Sequence, residues 1–269
     1  MKHTDCQFFD YPVSRLATAD VGRFGLKRHY MFGLFEVDVT AARQLLRRLR
    51  REGQGVSFTA WMIKTIGDCV ARNPLVHALP WKKHQLIAFN DVDIAIPIER
   101  VVHGKGVPLP LLIRQTNLRT AQDIHREIQE ALKKQLSDER DFILSKHSFS
   151  KASLRAYYSF PQALRLFIWR RLFANPFRAR HYSGTVMVTT VNVIGGSSGW
   201  ILPSRTMHNL ALSLGSISKK PWVVGGEVTV REILNLTVTF NHDVIDGVPA
   251  RKFVQGLIEA IERCGADAK

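Results

Sequence analysis

The stretch best suited to carry chemistry is Leu234–Ala250, LNLTVTFNHDVIDGVPA. Leu234, Leu236, Val238 and Phe240 alternate with Asn235, Thr237, Thr239 and Asn241, the period of a strand with one buried face. His242 follows on the apolar parity, so the strand is expected to deliver an imidazole towards the interior at its end. Asp246-Gly247 makes a turn, and Pro249 is placed to open a final helix. An imidazole titrates close to working pH, which suits a general base. The same residues also describe a packed or solvated histidine beside an ordinary Asp-Gly turn. This stretch alone does not separate the two.

The elements that must position these residues are legible from periodicity. Residues 31–39 read as a strand, with Met31, Gly33, Phe35, Val37 and Val39 on one parity, and a basic helix follows over 40–51. Phe58, Trp61, Met62, Ile66, Cys69 and Val70 recur at helical spacing across 57–72, and Asn73-Pro74 stops that helix. Strands are expected at 85–89, 92–99, 185–194, 208–217, 227–230 and 233–241. Further helices are expected at 120–136 and 249–264. No Gly/Ser-rich or Pro-rich linker separates blocks, and no repeat appears, so a single α/β domain is favoured over two.

In 269 residues, 38 Lys+Arg face 23 Asp+Glu, a formal net charge of +15. With 45% hydrophobic residues the composition is that of a globular chain, not a disordered, collagenous or membrane-embedded one. The charge points to an anionic partner. It is unevenly placed, since no Asp or Glu occurs between Phe142 and Gly226. Cys6, Cys69 and Cys264 are widely spaced and form no CxxC pair, so neither a disulfide framework nor a zinc cluster is expected. Without a signal-like N-terminus or a membrane-length apolar run, a cytoplasmic location is the default, with peripheral membrane attachment as the second option.

His242-Asp243-Val244-Ile245-Asp246-Gly247 fits an HxxxDG pattern. It resembles the signature shared by the catalytic domains of dihydrolipoamide acyltransferases of 2-oxo acid dehydrogenase complexes and by chloramphenicol acetyltransferases. The run Gly184–Thr190 with Ile194-Gly195-Gly196, the strand Leu212–Ile217, the helix 57–74 and the strand 91–98 are similar to elements of that family in the same order. The resemblance covers roughly residues 30–136 and 183–264. It implies an α/β fold of the chloramphenicol acetyltransferase-like kind, a two-layer α+β sandwich with helices packed on a mixed sheet. Residues 1–29 would be an N-terminal arm and 30–269 a single acyltransferase catalytic domain, with a basic aromatic insertion at about 137–182.

By that resemblance His242 matches the base that deprotonates an acceptor thiol, hydroxyl or amine, which then attacks a thioester carbonyl. Thr189 matches the hydroxyl that donates to the tetrahedral oxyanion, and Thr190 beside it leaves the position open by one residue. Ser213 is a weaker second donor. Asp246 matches an aspartate that holds the loop carrying His242. In the acetyltransferases it pairs with an N-terminal arginine, for which Arg23 and Arg28 are both candidates. Coenzyme A or acyl-CoA is implied as substrate, with a lipoyl carrier in trans as the other acyl source, and no metal. Lys219 and Lys220 are placed to meet coenzyme A phosphates, or form a solvated turn. A free-standing homotrimer with its active site between subunits is expected, because no lipoyl or subunit-binding domain precedes residue 30 and no apolar tail follows Cys264. Asp243 stands where the acyltransferases usually have arginine, and its carboxylate is expected to raise the pKa of His242.

The segment 146–180 combines Lys146, Lys151, Arg155, Arg165, Arg170, Arg171, Arg178 and Arg180 with many aromatics. Three readings compete for it: a packed insertion or lid, a membrane-docking face through Leu164, Phe167, Ile168, Trp169 and Phe173, or a protein-binding surface. Nucleic acid ranks last, since no binding module accompanies the charge. The competing function from another class is a catalytically silent trimeric scaffold that binds membrane or a partner through this insertion.

Overall fold

The computed structural model describes residues 6–8, 14–102, 105–133, 156–190, 198–203 and 205–264. Its elements are α1 (Ser14–Gly25), β1 (Tyr30–Asp38), α2 (Thr40–Arg51), α3 (Phe58–Arg72), β2 (Leu79–Pro80), β3 (Leu86–Ile87), β4 (Ile94–Val102) and β5 (Lys105–Ile113). They continue with α4 (Ala121–Lys133), α5 (Gln162–Phe173), α6 (Pro176–Ser183), β6 (Val186–Thr190), β7 (Leu210–Val224), β8 (Glu227–Asn241) and α7 (Gly247–Glu262). Six strands form a mixed sheet in the order β1-β8-β7-β6-β4-β5, and β2 pairs with β3 separately. Only β7/β6 and β6/β4 are parallel; the other neighbours are antiparallel.

One face of the sheet carries the core. Val186 and Val188 of β6, Leu210, Leu212 and Leu214 of β7, and Leu234, Leu236, Val238 and Phe240 of β8 pack with Met62 and Ile66 of α3 and Phe253 and Leu257 of α7. The helix α3 forms where its apolar period predicts. Ser57 caps it by accepting from the Ala60 amide at 3.2 Å, and Pro74 prevents its extension. Gly67 lets α3 approach the loop after β5, because a β-carbon there would lie 2.4 Å from Thr116 Oγ1. α4 is capped by Thr120, whose hydroxyl accepts from the Asp123 amide at 3.1 Å.

Two differences from the sequence reading have clear causes. The expected strands 227–230 and 233–241 are one strand, β8, opposite an equally long β7 across the Gly225-Gly226 turn, where both glycines have positive φ. The charged pair Arg231-Glu232 that falls between the two expected strands is neutralised in place. Arg231 Nε donates to Asp38 at 2.6 Å, while Glu232 accepts from Arg43 at 3.0 Å and Arg47 at 2.7 Å. The strand β5 is not among the expected strands, and it contains Pro108 and Pro110, which lack backbone donors. It lies at the sheet edge, where a missing backbone donor is tolerated.

The arm before β1 contains a helix, and the basic segment packs on it. Arg165 of α5 is buried against Asp20 of α1, Nε to Oδ2 at 2.7 Å. Tyr157 and Gln162 also donate to Asp20, at 3.0 and 3.2 Å. Burial alone would raise the Asp20 carboxyl, but these hydrogen bonds outweigh it and hold it below the usual carboxylate range. The rings of Phe24 and Phe173 meet at 5.6 Å across the same contact. Arg180 of α6 pairs with Asp93 at 2.8 Å and lies over Phe89. Arg165 and Arg180, both from the acid-free stretch, are therefore neutralised by carboxylates from other parts of the chain. Lys146, Lys151 and Arg155 lie outside the described residues, as do Ile194, Gly195 and Gly196.

Candidate active site

The strand β8 ends at Asn241, and its end is anchored by amides. The Asn241 backbone N–H donates to Asn209 O at 2.8 Å, and its side-chain amide donates to Asn209 Oδ1 at 2.9 Å. Asn209 in turn donates to Ala78 O at 2.6 Å and accepts from Arg28 at 3.0 Å. The next residues form a tight turn in which Val244 and Ile245 amides both donate to Asn241 O. Ile245 is buried and fastens the turn to the core. His242 stands on this turn with its backbone N–H bonded to His29 O at 2.6 Å.

His242 is not interior within the chain: its side chain is 48% exposed, because the backbone turns away directly after Asn241. Asp246 Oδ1 lies 3.8 Å from His242 Nδ1, close enough for charge to be felt but too far for a hydrogen bond. Asp246 occupies the cap position of α7, where its side chain makes no capping hydrogen bond. Neither N-terminal arginine reaches it. Arg23 donates to Gln162, and Arg28 donates to the Met207 carbonyl and to Asn209. Asp243 is also engaged away from His242, with its carboxylate held by His29 at 2.7 Å. That hydrogen bond keeps the Asp243 carboxyl below its ordinary range.

Thr189 and Ser213 face the other way from the core. They share a register level with Thr237, so three hydroxyls lie in a row across β6, β7 and β8. The hydroxyls of Ser213, Thr237 and Thr239 are buried with no hydrogen-bond partner among the described residues. A desolvated hydroxyl left unpaired is unfavourable by about 1–3 kcal/mol, so Ser213, Thr237 and Thr239 have hydrogen-bonding capacity to spare. Thr237 and Thr239 escaped the sequence reading because they look like ordinary strand positions. Asn209, Asn241 and His29 escaped it because their partners are far away in the chain.

Register also measures the distance between base and donor. Thr237 precedes His242 by five residues, about 17 Å of strand, and Thr189 lies two strand spacings of about 4.8 Å to the side. Within one chain His242 and Thr189 are thus on the order of 19 Å apart. Lys219 and Lys220 are farther still, opposite Glu232 and Arg231 in the middle of the β7–β8 hairpin, not in a turn. They lie more than about 30 Å along the strand from His242. Lys220 is paired with Glu36 and sits over the Trp200 ring.

The fold and this turn first define a class: a mixed six-stranded sheet that carries an HxxxDG turn at one strand end. The architecture matches a probable dihydrolipoamide acetyltransferase from Listeria monocytogenes 4b F2365, with a TM-score of 0.68, 18% identity and 98% of both chains covered. It also matches a truncated catalytic core of the 2-oxoacid dehydrogenase multienzyme complex from Thermoplasma acidophilum, with a TM-score of 0.65, 16% identity, and coverage of 97% of this chain and 100% of that one. At these identities the likeness establishes the fold. In sequence, residues 183–266 match the model of 2-oxoacid dehydrogenases acyltransferase (catalytic domain), the family that the HxxxDG turn resembles.

A lipoamide acyltransferase component of the branched-chain alpha-keto acid dehydrogenase complex from Pseudomonas aeruginosa is 31% identical over 81 residues, 28% of this chain and 18% of that protein. A dihydrolipoyllysine-residue acetyltransferase component of the pyruvate dehydrogenase complex from Acholeplasma laidlawii is 33% identical over 79 residues, 29% of this chain and 14% of that one. The matched stretch spans less than a fifth of either relative's length.

Proposed function

We propose that the protein is a thioester-dependent acyltransferase whose base is His242. The observation that carries this reading is the HxxxDG turn itself, built at the end of β8 and lying inside the matched residues 183–266. The imidazole takes the proton of an acceptor thiol, hydroxyl or amine. The acceptor then attacks the carbonyl carbon of an acyl-CoA or acyl-lipoyl thioester, and the carbonyl oxygen becomes an oxyanion that accepts from Thr189, with Ser213 beside it. Collapse of the intermediate breaks the carbon–sulfur bond, and the departing thiolate recovers the proton from the imidazolium. The lipoyl group would come from another chain. Asp246 acts on His242 only through charge and the shape of the turn.

The separation of about 19 Å between His242 and Thr189 within one chain supports a site completed between subunits. A homotrimer then brings the base of one subunit to the hydroxyl row of the next, and Lys219 and Lys220 serve only if the neighbour's hairpin reaches the acyl donor. Acyl-CoA turnover read by free-thiol release tests the mechanism. His242→Ala is expected to lower it by about 10²- to 10⁴-fold, and undiminished turnover would remove the assigned base. Among the described residues no helix is long and apolar enough to cross a membrane.

A further inference from the structure

α1, the residues that follow it and α5 border a half-open cavity of about 340 Å³ lined by Arg23, Phe24, Lys27, Arg28, Leu166 and Arg170. Four of these six residues are cations, and no carboxylate lines the cavity among the described residues. The acid nearest in the chain, Asp20, is already saturated by Arg165, Tyr157 and Gln162. Among the described residues Arg23 and Arg28 donate only to uncharged groups, the Gln162 and Asn209 amides and the Met207 carbonyl. The side chains of Lys27 and Arg170 have no hydrogen bond or ion pair among the described residues.

Four like charges around one concavity repel each other. They are kept together by the buried Asp20–Arg165 pair and the Phe24–Phe173 ring contact, with the Arg23–Gln162 hydrogen bond across the same two helices. We propose that this cavity binds a phosphate monoester attached to an apolar body. A phosphomonoester brings close to two negative charges and three acceptor oxygens at neutral pH, and arginine forks match that geometry. Phe24 and Leu166 supply apolar wall, and Phe167 stands exposed beside them on α5. The cavity adjoins the histidine turn: Arg28 precedes His29, whose carbonyl holds the His242 amide and whose ring holds Asp243. The inference stands without the acyltransferase reading.

Two sources share this chemistry, a soluble phosphomonoester and the headgroup of phosphatidic acid. Calorimetry with inorganic phosphate and adenosine 3′,5′-bisphosphate addresses the first. Co-sedimentation with phosphatidylcholine vesicles doped with phosphatidic acid, or with phosphatidylserine, addresses the second. Binding in at least one arm is expected, weakened about tenfold or more by Lys27→Glu and by Arg170→Glu. It should be unchanged by Arg251→Glu, which reverses an exposed charge on α7. Lys27→Ala and Arg170→Ala carry the same expectation if a charge reversal disturbs folding. Soluble binding alone assigns a metabolite, and binding to phosphatidic acid alone assigns a lipid. The proposal is overturned if no arm binds, if the cavity variants bind as the wild type does, or if the one binding arm is vesicles and phosphatidylserine serves as well as phosphatidic acid.

Discussion

At the scale of single residues, the oxyanion donor is the sharpest question. Thr189 shares a face and a register level with Ser213, while Thr190 has the parity of the core-facing Val188 and lies exposed at the end of β6. Thr189→Ala is therefore expected to lower kcat by about 10²- to 10³-fold with little change in KM, the signature of a donor aimed at developing charge. Thr190→Ala is expected to leave turnover unchanged. Equal losses in the two variants would show that the row does not act as a donor array. Asp243 belongs to the same scale. Its carboxylate closes a contact with His29 that joins the start of β1 to the turn after β8, a structural use for the position where the acyltransferases usually carry arginine.

At the scale of elements, α1 and α5 depend on each other. The Arg165 and Asp20 side chains are 7% and 0% exposed, so removing one partner leaves an uncompensated buried charge. Arg165→Met is expected to destabilise the protein by about 3 kcal/mol or more in denaturant melts. The double variant Asp20→Asn with Arg165→Met should recover much of that loss. If the single variant melts like the wild type, the pair does not hold the two helices. Neither helix offers a strong local signal for this contact: α5 mixes apolar and basic residues all round, and the one buried side chain described on α1 is an aspartate.

At the scale of the whole molecule, the distance set by sheet register makes a prediction about assembly. If each site takes His242 from one subunit and Thr189 from the next, inactive His242→Ala and Thr189→Ala chains complement each other when mixed. Random trimers of the two would regain about a quarter of wild-type activity, since one interface in four pairs both intact residues. No recovery would mean that both residues act within one chain.

A second whole-molecule property is stability against pH. His77 and His208 are buried, bonded to the Thr185 hydroxyl at 2.8 Å and to the Ser183 carbonyl at 2.8 Å, and burial pushes each imidazole down to about 4. The unfolded chain, with imidazoles near 6.5, binds more protons than the folded one between pH 6.5 and 4. Stability is therefore full above pH 6.5 and falls as pH drops towards 4, by up to about 3 kcal/mol per imidazole. Thermal melts across that window should show the fall, and His208→Gln should flatten it. A flat profile in the wild type would contradict the assignment.

What the sequence determined by itself was local. Alternating Leu234, Leu236, Val238 and Phe240 made β8, Ser57 and Pro74 bounded α3, and the HxxxDG spacing marked the turn that carries His242. Each of these is a short-range regularity of side-chain period, capping or turn chemistry, so adjacent residues suffice to reveal it. The tertiary structure decided what depends on residues far apart. Pro108 and Pro110 became strand because β5 lies at an edge, and α1 became part of the body because Asp20 meets Arg165 across the fold. His242 and Thr189 were separated within the chain because strand pairing, which no local pattern encodes, set their levels on the sheet.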